Sequence, residues 1–292
     1  MSSHPSVALL VPCHNAARYL PRLAGSVRAQ TVPFAEIICY DDGSTDDTAA
    51  VARSLGWRIL TPNTNRGPSR ARNALAAAAS SAWIHFHDAD DLLHPSYLAE
   101  ASAAADHDCD VVVCDSSWEL EHSRELVIHW TYRAADHAAD PLAYPVTHPV
   151  GVISALVRRE AFVRSGGFDE SATCWEDADL FVRLAEIGAR FRFLERTLVT
   201  SLRHDRGISR DQDHCTRCRL HFLEGYAARL PARLAPVIGG ECEKLLPAFL
   251  AAGDLTSARA ALSLCRRLGL RPPTTLGLGK LDRLDHRGNA VR

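Results

Sequence analysis

Three polar clusters close three apolar runs in the first ninety-one residues. Pro12-Cys13-His14-Asn15 follows "VALLV", Asp41-Asp42-Gly43-Ser44 follows "EIICY", and Asp88-Ala89-Asp90-Asp91 follows "WIHFH". One such cluster is ordinary, because Asp favours turns and helix caps. Several carboxylates brought to one place repel each other unless a cation neutralises them. Oxygen donors of this kind suit Mn²⁺ or Mg²⁺, which often take one or two carboxylates and complete their shell with phosphate oxygens. The positive complement is "NRGPSRARN", where Arg66, Arg70 and Arg72 flank a Gly-Pro helix start suited to an anion. The chemistry on offer is therefore the binding of a phosphate-bearing ligand beside a divalent metal.

The elements that must position these groups follow from hydrophobic periodicity. Short apolar runs at "VALLVP", "EIICYDD", "WRILTP", "AWIHFHDADD" and "DVVVCDS" read as buried strands. Between them, "ARYLPRLAGSVRAQ" (despite its internal Pro21), "TDDTAAVARSLG" and "NRGPSRARNALAAAASS" read as helices. Near-continuous apolar strands alternating with helices imply an α/β fold with a parallel sheet covered on both faces. In such a sheet ligands bind beyond the carboxyl ends of the strands, where all three polar clusters fall. Alternation puts His85 and His87 on one face of their strand, without an assigned role. Residues 119–150 have weak periodicity. From Gly151 the pattern resumes through "GVISALVRREAF", the turn "SGGFDE" and "WEDADLFVRLAEIG", whose Leu180, Leu184 and Ile187 have helical spacing and whose first turn holds Glu176 and Asp177. "FRFLERTLVTSLRH" reads as one or two strands. Beyond about Asp211 the chain reads as Ala-, Leu- and Arg-rich helices, ending in a helix pair joined by Gly253-Asp254.

At 47% hydrophobic and 23% charged residues the chain can bury an ordinary core, and a formal net charge of -2 gives no reason to expect nucleic acid as a partner. Nine cysteines, an odd number without a framework, suit reduced thiols in a cytoplasm. The N-terminal apolar run is strand-length and lacks the basic start of a signal peptide, and no stretch approaches the roughly 18 apolar residues of a membrane span. "HCTRCRLH" packs His214, Cys215, Cys218 and His221 into one helix and reads as helix-face residues, because a structural zinc site normally joins two separated ligand pairs. The C-terminal Arg-rich helices could touch an anionic membrane surface at the inner face of the membrane, or form a packing or homodimerising subdomain.

Five segments in register, "ALLVPCHNAARYLPRLAGSVRAQT", "EIICYDDGSTDDT", "NRGPSRARNALAAA", "IHFHDADDLLHP" and "GGFDE…WEDADLFVRL", resemble the family 2 glycosyltransferases over about residues 6 to 210. The resemblance implies a GT-A fold over residues 1–210, with residues 211–292 as a helical C-terminal region. It implies transfer of a sugar, with inversion, from a nucleoside-diphosphate sugar (a UDP-sugar is favoured) to a hydroxyl of a carbohydrate or lipid-linked acceptor, as in polysaccharide or glycolipid biosynthesis. By position in the family's motifs, Asp42 would hold the nucleotide base, with Pro12, His14 and Asn15 beside it. His14 stands where the family commonly has Tyr, which leaves a stacking surface. Arg72 would face base or pyrophosphate. Asp90 would contact the metal, with Asp88 reaching it through water or holding the ribose. Asp177 of the Glu176-Asp177 pair would be the general base, kept ionised by the helix start. His204, with Arg203, Arg206 and Ser209, loosely matches a loop that closes over the diphosphate. Two rival readings share the same parts: nucleotidyl transfer, and a non-catalytic nucleotide-sugar-binding module. The Glu176-Asp177 pair has no obvious job in the first.

Overall fold

The computed structural model describes residues 5–62, 64–204 and 211–270. The chain forms two compact units, Met1–Gly207 and Ile208–Arg292.

The first unit begins with β1 (Val7–Cys13), α1 (Leu20–Arg28), β2 (Glu36–Asp41), α2 (Thr48–Ser54), β3 (Arg58–Leu60), α3 (Pro68–Ala78) and β4 (Trp83–Phe86). β1 is flanked by β2 and β4, and β2 by β3, all parallel. Val7 to Val11 are almost wholly buried, as a strand covered on both faces requires. Pro21 does not break α1 because it falls in the first turn, where its missing N–H is not needed.

After β5 (Leu92–Leu93) and α4 (Tyr97–Ala104) come β6 (Val111–Leu120) and β7 (Leu126–Trp130), then α5 (Ala134–Ala139), α6 (Tyr144–Thr147), β8 (Ala155–Arg158), α7 (Arg159–Arg164), α8 (Glu176–Glu186) and β9 (Phe191–Arg203). The sheet order is β3-β2-β1-β4-β8-β6-β9-β5, with β7 on β6. The sheet, expected to be mostly parallel, is mixed: β8 runs antiparallel between β4 and β6, β5 is antiparallel to β9, and β7 to β6, while β3-β2-β1-β4 and the β6–β9 pair are parallel. A fully buried strand reads as the same apolar run in either direction, so composition does not encode its sense.

The second unit contains α9 (Gln212–Arg229), α10 (Ala235–Glu243), α11 (Leu246–Ala252) and α12 (Leu255–Arg267). Asp254 caps α12, its carboxylate accepting from the Ser257 N–H at 3.0 Å. Among the described residues no helix is long and apolar enough to cross a membrane.

The two strand histidines have a structural place. His85 and His87 are both 0% exposed. His85 Nδ1 lies 2.9 Å from the Ala155 carbonyl on β8 and 2.7 Å from the Tyr97 hydroxyl on α4, while its Nε2 lies 3.2 Å from His87 Nδ1. Because a carbonyl only accepts, Nδ1 of His85 carries the proton and Nε2 accepts from His87. Burial pushes His85 down to about 3 and His87 down to about 4, with the neighbouring ring adding to the shift of His85. An unfolded histidine takes a proton near pH 6.5, whereas these folded ones refuse it until far lower, so stability falls as pH drops from about 6.5 towards 4. A His85→Gln variant keeps a donor for Ala155 but cannot be protonated. Its Tm is expected to fall less than that of the wild type over that window, as thermal unfolding at stepped pH will show.

Candidate active site

The β1–β2 register pairs Cys13 with Asp41, so the first two polar clusters lie side by side at one sheet edge. The Asp42 N–H donates to the Cys13 carbonyl at 2.8 Å, and His14 Nδ1 sits 3.0 Å from the Asp42 carbonyl. Asn15, at φ 51°, takes a left-handed conformation and accepts from the Thr45 N–H at 2.9 Å. Gly43 is required here: a Cβ would lie 2.8 Å from the Asn65 backbone nitrogen. The Asp42 side chain is 4% exposed, and its two oxygens accept from the Arg66 and Gly67 N–H groups, each at 2.7 Å. The sequence left the start of α3 open to a ligand anion; the structure shows that Asp42 already fills it. Arg70, in the first turn of α3 as expected, pairs with Glu170 at 2.7 Å.

The third cluster extends from β4. The His87 N–H donates to the Leu10 carbonyl at 3.0 Å, which carries Asp88 to the same edge as Asp42. Its three carboxylates have separate tasks. Asp91 is buried and accepts from the Leu202 N–H on β9 at 2.8 Å; burial, then its neighbours Asp90 and Asp88, raise it well above the usual carboxylate range. Asp88 and Asp90 keep exposed oxygens, with side chains 38% and 30% accessible. Burial and the Asp88 charge also raise Asp90, and the His204 ring opposes the rise. His204 Nε2 donates to Asp90 Oδ2 at 2.7 Å, and its ring stacks on Tyr19 with centroids 5.1 Å apart. Arg22 donates to the Asp90 carbonyl at 3.0 Å and pairs with Glu121 at 2.9 Å. Arg203 lies over the Trp118 ring at 5.2 Å. Arg206 and Ser209 lie outside the described residues.

Glu176 and Asp177 open α8, directly after Trp175, which holds a left-handed backbone at φ 64°. For a bulky residue this is a strained conformation of the kind that persists where the surroundings fix it. Asp177 Oδ1 accepts from the Ala178 N–H at 2.8 Å. Burial, and then the adjacent Glu176 charge, push Asp177 up to about 7. This corrects the expectation that the helix start would keep it ionised: desolvation and a like charge outweigh the helix dipole. Glu176 faces elsewhere, accepting from Arg72 Nη1 at 2.8 Å. Arg72 Nη2 donates to Asp88 Oδ1 at 3.0 Å, so Arg72 joins the third cluster to α8. α6 packs against α8, and Tyr132 lies close enough for the Asp177 charge to add to the rise that burial causes in its phenol. The weakly periodic segment 119–150 thus contributes a wall beside Asp177.

Sequence reasoning missed Asn73. Its carboxamide donates to the Phe168 carbonyl at 2.9 Å and accepts from the Phe168 N–H at 2.8 Å, clamping the turn that leads towards α8. Its signal was present as the residue after Arg72, but nothing local marks an Asn as bonding to a turn ninety residues on. Gly167 sits in that turn at φ 70°, and a Cβ there would lie 2.7 Å from Asn73 Oδ1. Gly167→Ala is therefore expected to cost about 1–3 kcal/mol, from backbone strain and a broken clamp. Chemical denaturation of wild type and variant will measure it.

Residues 8–165 match the family described as "Glycosyl transferase family 2". A pre-mycofactocin glycosyltransferase of Mycobacterium tuberculosis is 30% identical over 251 residues, covering 81% of this chain and 50% of that one, so the chain spans about half the length of this curated relative. Among solved structures, S. aureus TarS in complex with UDP-GlcNAc aligns with a TM-score of 0.58 at 17% identity, covering 92% of this chain and 93% of that one. The mannosyltransferase PcManGT from Pyrobaculum calidifontis, in complex with GDP-Man and Mn²⁺, aligns with a TM-score of 0.63 at 16% identity, covering 99% and 82%. The fold is that of the GT-A glycosyltransferases, followed by a helical C-terminal region. With a family match that spans more than half of its 292 residues, the chain belongs to glycosyl transferase family 2.

Proposed function

We propose that this protein transfers a sugar, with inversion, from a nucleoside-diphosphate sugar to a hydroxyl of a carbohydrate or lipid-linked acceptor. The observation that carries the reading is the meeting of two groups at one sheet edge: the part-exposed carboxylates Asp88 and Asp90, and Asp177, a carboxylate poised near neutrality. Asp177 takes the proton of the acceptor hydroxyl as its oxygen attacks the anomeric carbon, and the nucleoside diphosphate leaves from the opposite side. A base serves best when its pKa lies near the working pH. α6 packs against α8 and Tyr132 lies near Asp177, so this side of the site is walled by protein while Asp177 itself stays part-exposed to an incoming hydroxyl.

The base end of the donor lies at His14 and Asp42, with Pro12 and Asn15 shaping the same edge. Asp42 retains lone pairs beyond its two backbone bonds for a ring N–H of the base. The pairing of relatives with UDP-GlcNAc and with GDP-Man supports a nucleotide-sugar donor.

A divalent cation fits the site. Asp88 and Asp90 present part-exposed side chains, and burial, then the Asp88 charge, raises Asp90, a tension that a cation relieves. A site of this kind needs only one or two carboxylates from the protein, the ligand giving the rest of the oxygen shell. Asp90, with Asp88, would hold Mn²⁺ or Mg²⁺, and the ion would supply Lewis-acid stabilisation of the departing diphosphate.

A thermal-shift screen of UDP, GDP, UDP-GlcNAc and GDP-mannose, each with Mn²⁺ or Mg²⁺, tests the donor site. At least one nucleotide is expected to raise Tm only when the metal is present, because a ligand of the folded state stabilises it. Absence of a shift with every nucleotide sinks the reading.

A further inference from the structure

We propose that Arg72 is a positioning residue that locks the base segment to the donor carboxylates, rather than a residue that grips the donor. Its guanidinium is held from several directions. Nη2 donates to Asp88 at 3.0 Å, and Nη1 donates to Glu176 at 2.8 Å. The Phe168 ring lies under its charge at 5.4 Å, and Phe168 is itself clamped by Asn73, the next residue on α3. The whole residue is 6% exposed. Burial alone would weaken its charge, but Asp88 and Glu176 reverse that and hold it above the usual arginine range.

Two consequences follow. Each terminal nitrogen of Arg72 already gives an N–H to a carboxylate, and the residue is almost wholly buried, so a donor phosphate would share the guanidinium with Asp88 and Glu176 rather than hold it alone. Meanwhile Asp88 and Glu176, from distant segments, are fixed to one planar group. Asp177 is the neighbour of Glu176, so its place relative to the bound sugar depends on the Arg72 fork. Near-attack geometry tolerates little misplacement: a shift of about 1 Å costs on the order of 10²-fold in rate. A lysine has a single ammonium and cannot reproduce the planar fork between two carboxylates.

The proposal rests on the transferase reading, and the test separates the two. Binding of UDP and GDP with Mn²⁺ is titrated calorimetrically in wild type, Arg72→Lys and Arg72→Ala. Turnover is followed as nucleoside diphosphate released from UDP-GlcNAc or GDP-mannose, with water as acceptor. A positioning role predicts a kcat loss of about 10²-fold in both variants, with nucleotide Kd and donor KM within about threefold of wild type. Guanidinium chloride at roughly tens of millimolar is expected to recover part of the kcat of Arg72→Ala by refilling the gap between the two carboxylates. If Kd and KM rise while kcat holds, Arg72 grips the donor and the proposal is overturned. Unchanged kcat, or a parallel loss of affinity and rate that guanidinium does not relieve, overturns it equally. Should Arg72→Ala fail to fold, the split between kcat and KM in Arg72→Lys decides alone. If wild type binds no nucleotide, the transferase reading fails first, and this proposal with it.

Discussion

Asp177→Asn is expected to lower kcat by about 10²–10⁴-fold, the usual worth of a general base, while leaving the affinity for nucleoside diphosphate and Mn²⁺ unchanged. The substitution keeps the shape of the side chain, and an amide oxygen can still accept from the Ala178 N–H at 2.8 Å. What disappears is the ability to take a proton. The pH dependence follows from the same group. Burial and the Glu176 charge push Asp177 up to about 7, and the base works only when ionised. Turnover is therefore expected to rise with pH through about 7 and to fall tenfold per unit below it. Glu176→Gln removes the like charge beside Asp177, so the acid limb of its pH–rate profile should move to lower pH. The two acids interact, and the profile reports the pair. Steady-state rates across pH 5 to 9 in the three proteins would check all of this. A variant Asp177→Asn with intact turnover would remove both the base and most of the enzymatic reading.

The second large effect is expected at the metal carboxylates. Asp90→Asn should lower turnover by about 10²–10³-fold, comparable to losing one group that stabilises charge in a transition state. It should also abolish the Mn²⁺-dependent rise of Tm with nucleotide. The metal-free protein is expected to move in the opposite direction. Burial and Asp88 raise Asp90 above its unfolded value, so its ionisation near pH 7 opposes folding; the sign is that of a group whose stabilising contribution is lost as pH rises through the folded pKa. Asn removes that charge and can still accept from His204 through its amide oxygen, at the 2.7 Å contact that Asp90 makes now. The variant should therefore melt higher than wild type without metal and lower than wild type with metal and nucleotide. A Tm that responds to Mn²⁺ and nucleotide as in wild type would place the metal elsewhere.

The legible and illegible parts of this molecule divide along physical lines. Strands β1, β2 and β4 and helices α3 and α8 were readable because their apolar runs and start signals are local, as with Gly67-Pro68 at the start of α3. The polar ends of those strands could then be placed on one edge from topology alone. Strand direction was not local information, and β8 entered the sheet antiparallel for reasons that lie in its neighbours. The roles of charged residues were also decided by distant partners. Arg72 meets Glu176 and Asp88, Asp42 meets the backbone of Arg66 and Gly67, and Asp177 is governed by burial that no window of sequence reveals. Residues 119–150 lacked a periodic signal because the strand within them, β7, has mostly exposed residues, so apolar spacing does not mark a buried face.

The most direct test of the account is product analysis by phosphorus and proton NMR, with wild-type protein, Mn²⁺ and the nucleotide sugar that the thermal screen selects. Inverting sugar transfer yields a nucleoside diphosphate as the phosphorus-containing product, together with a sugar product whose anomeric configuration is inverted relative to the donor. Pyrophosphate in place of nucleoside diphosphate, or retention at the anomeric carbon, would contradict it.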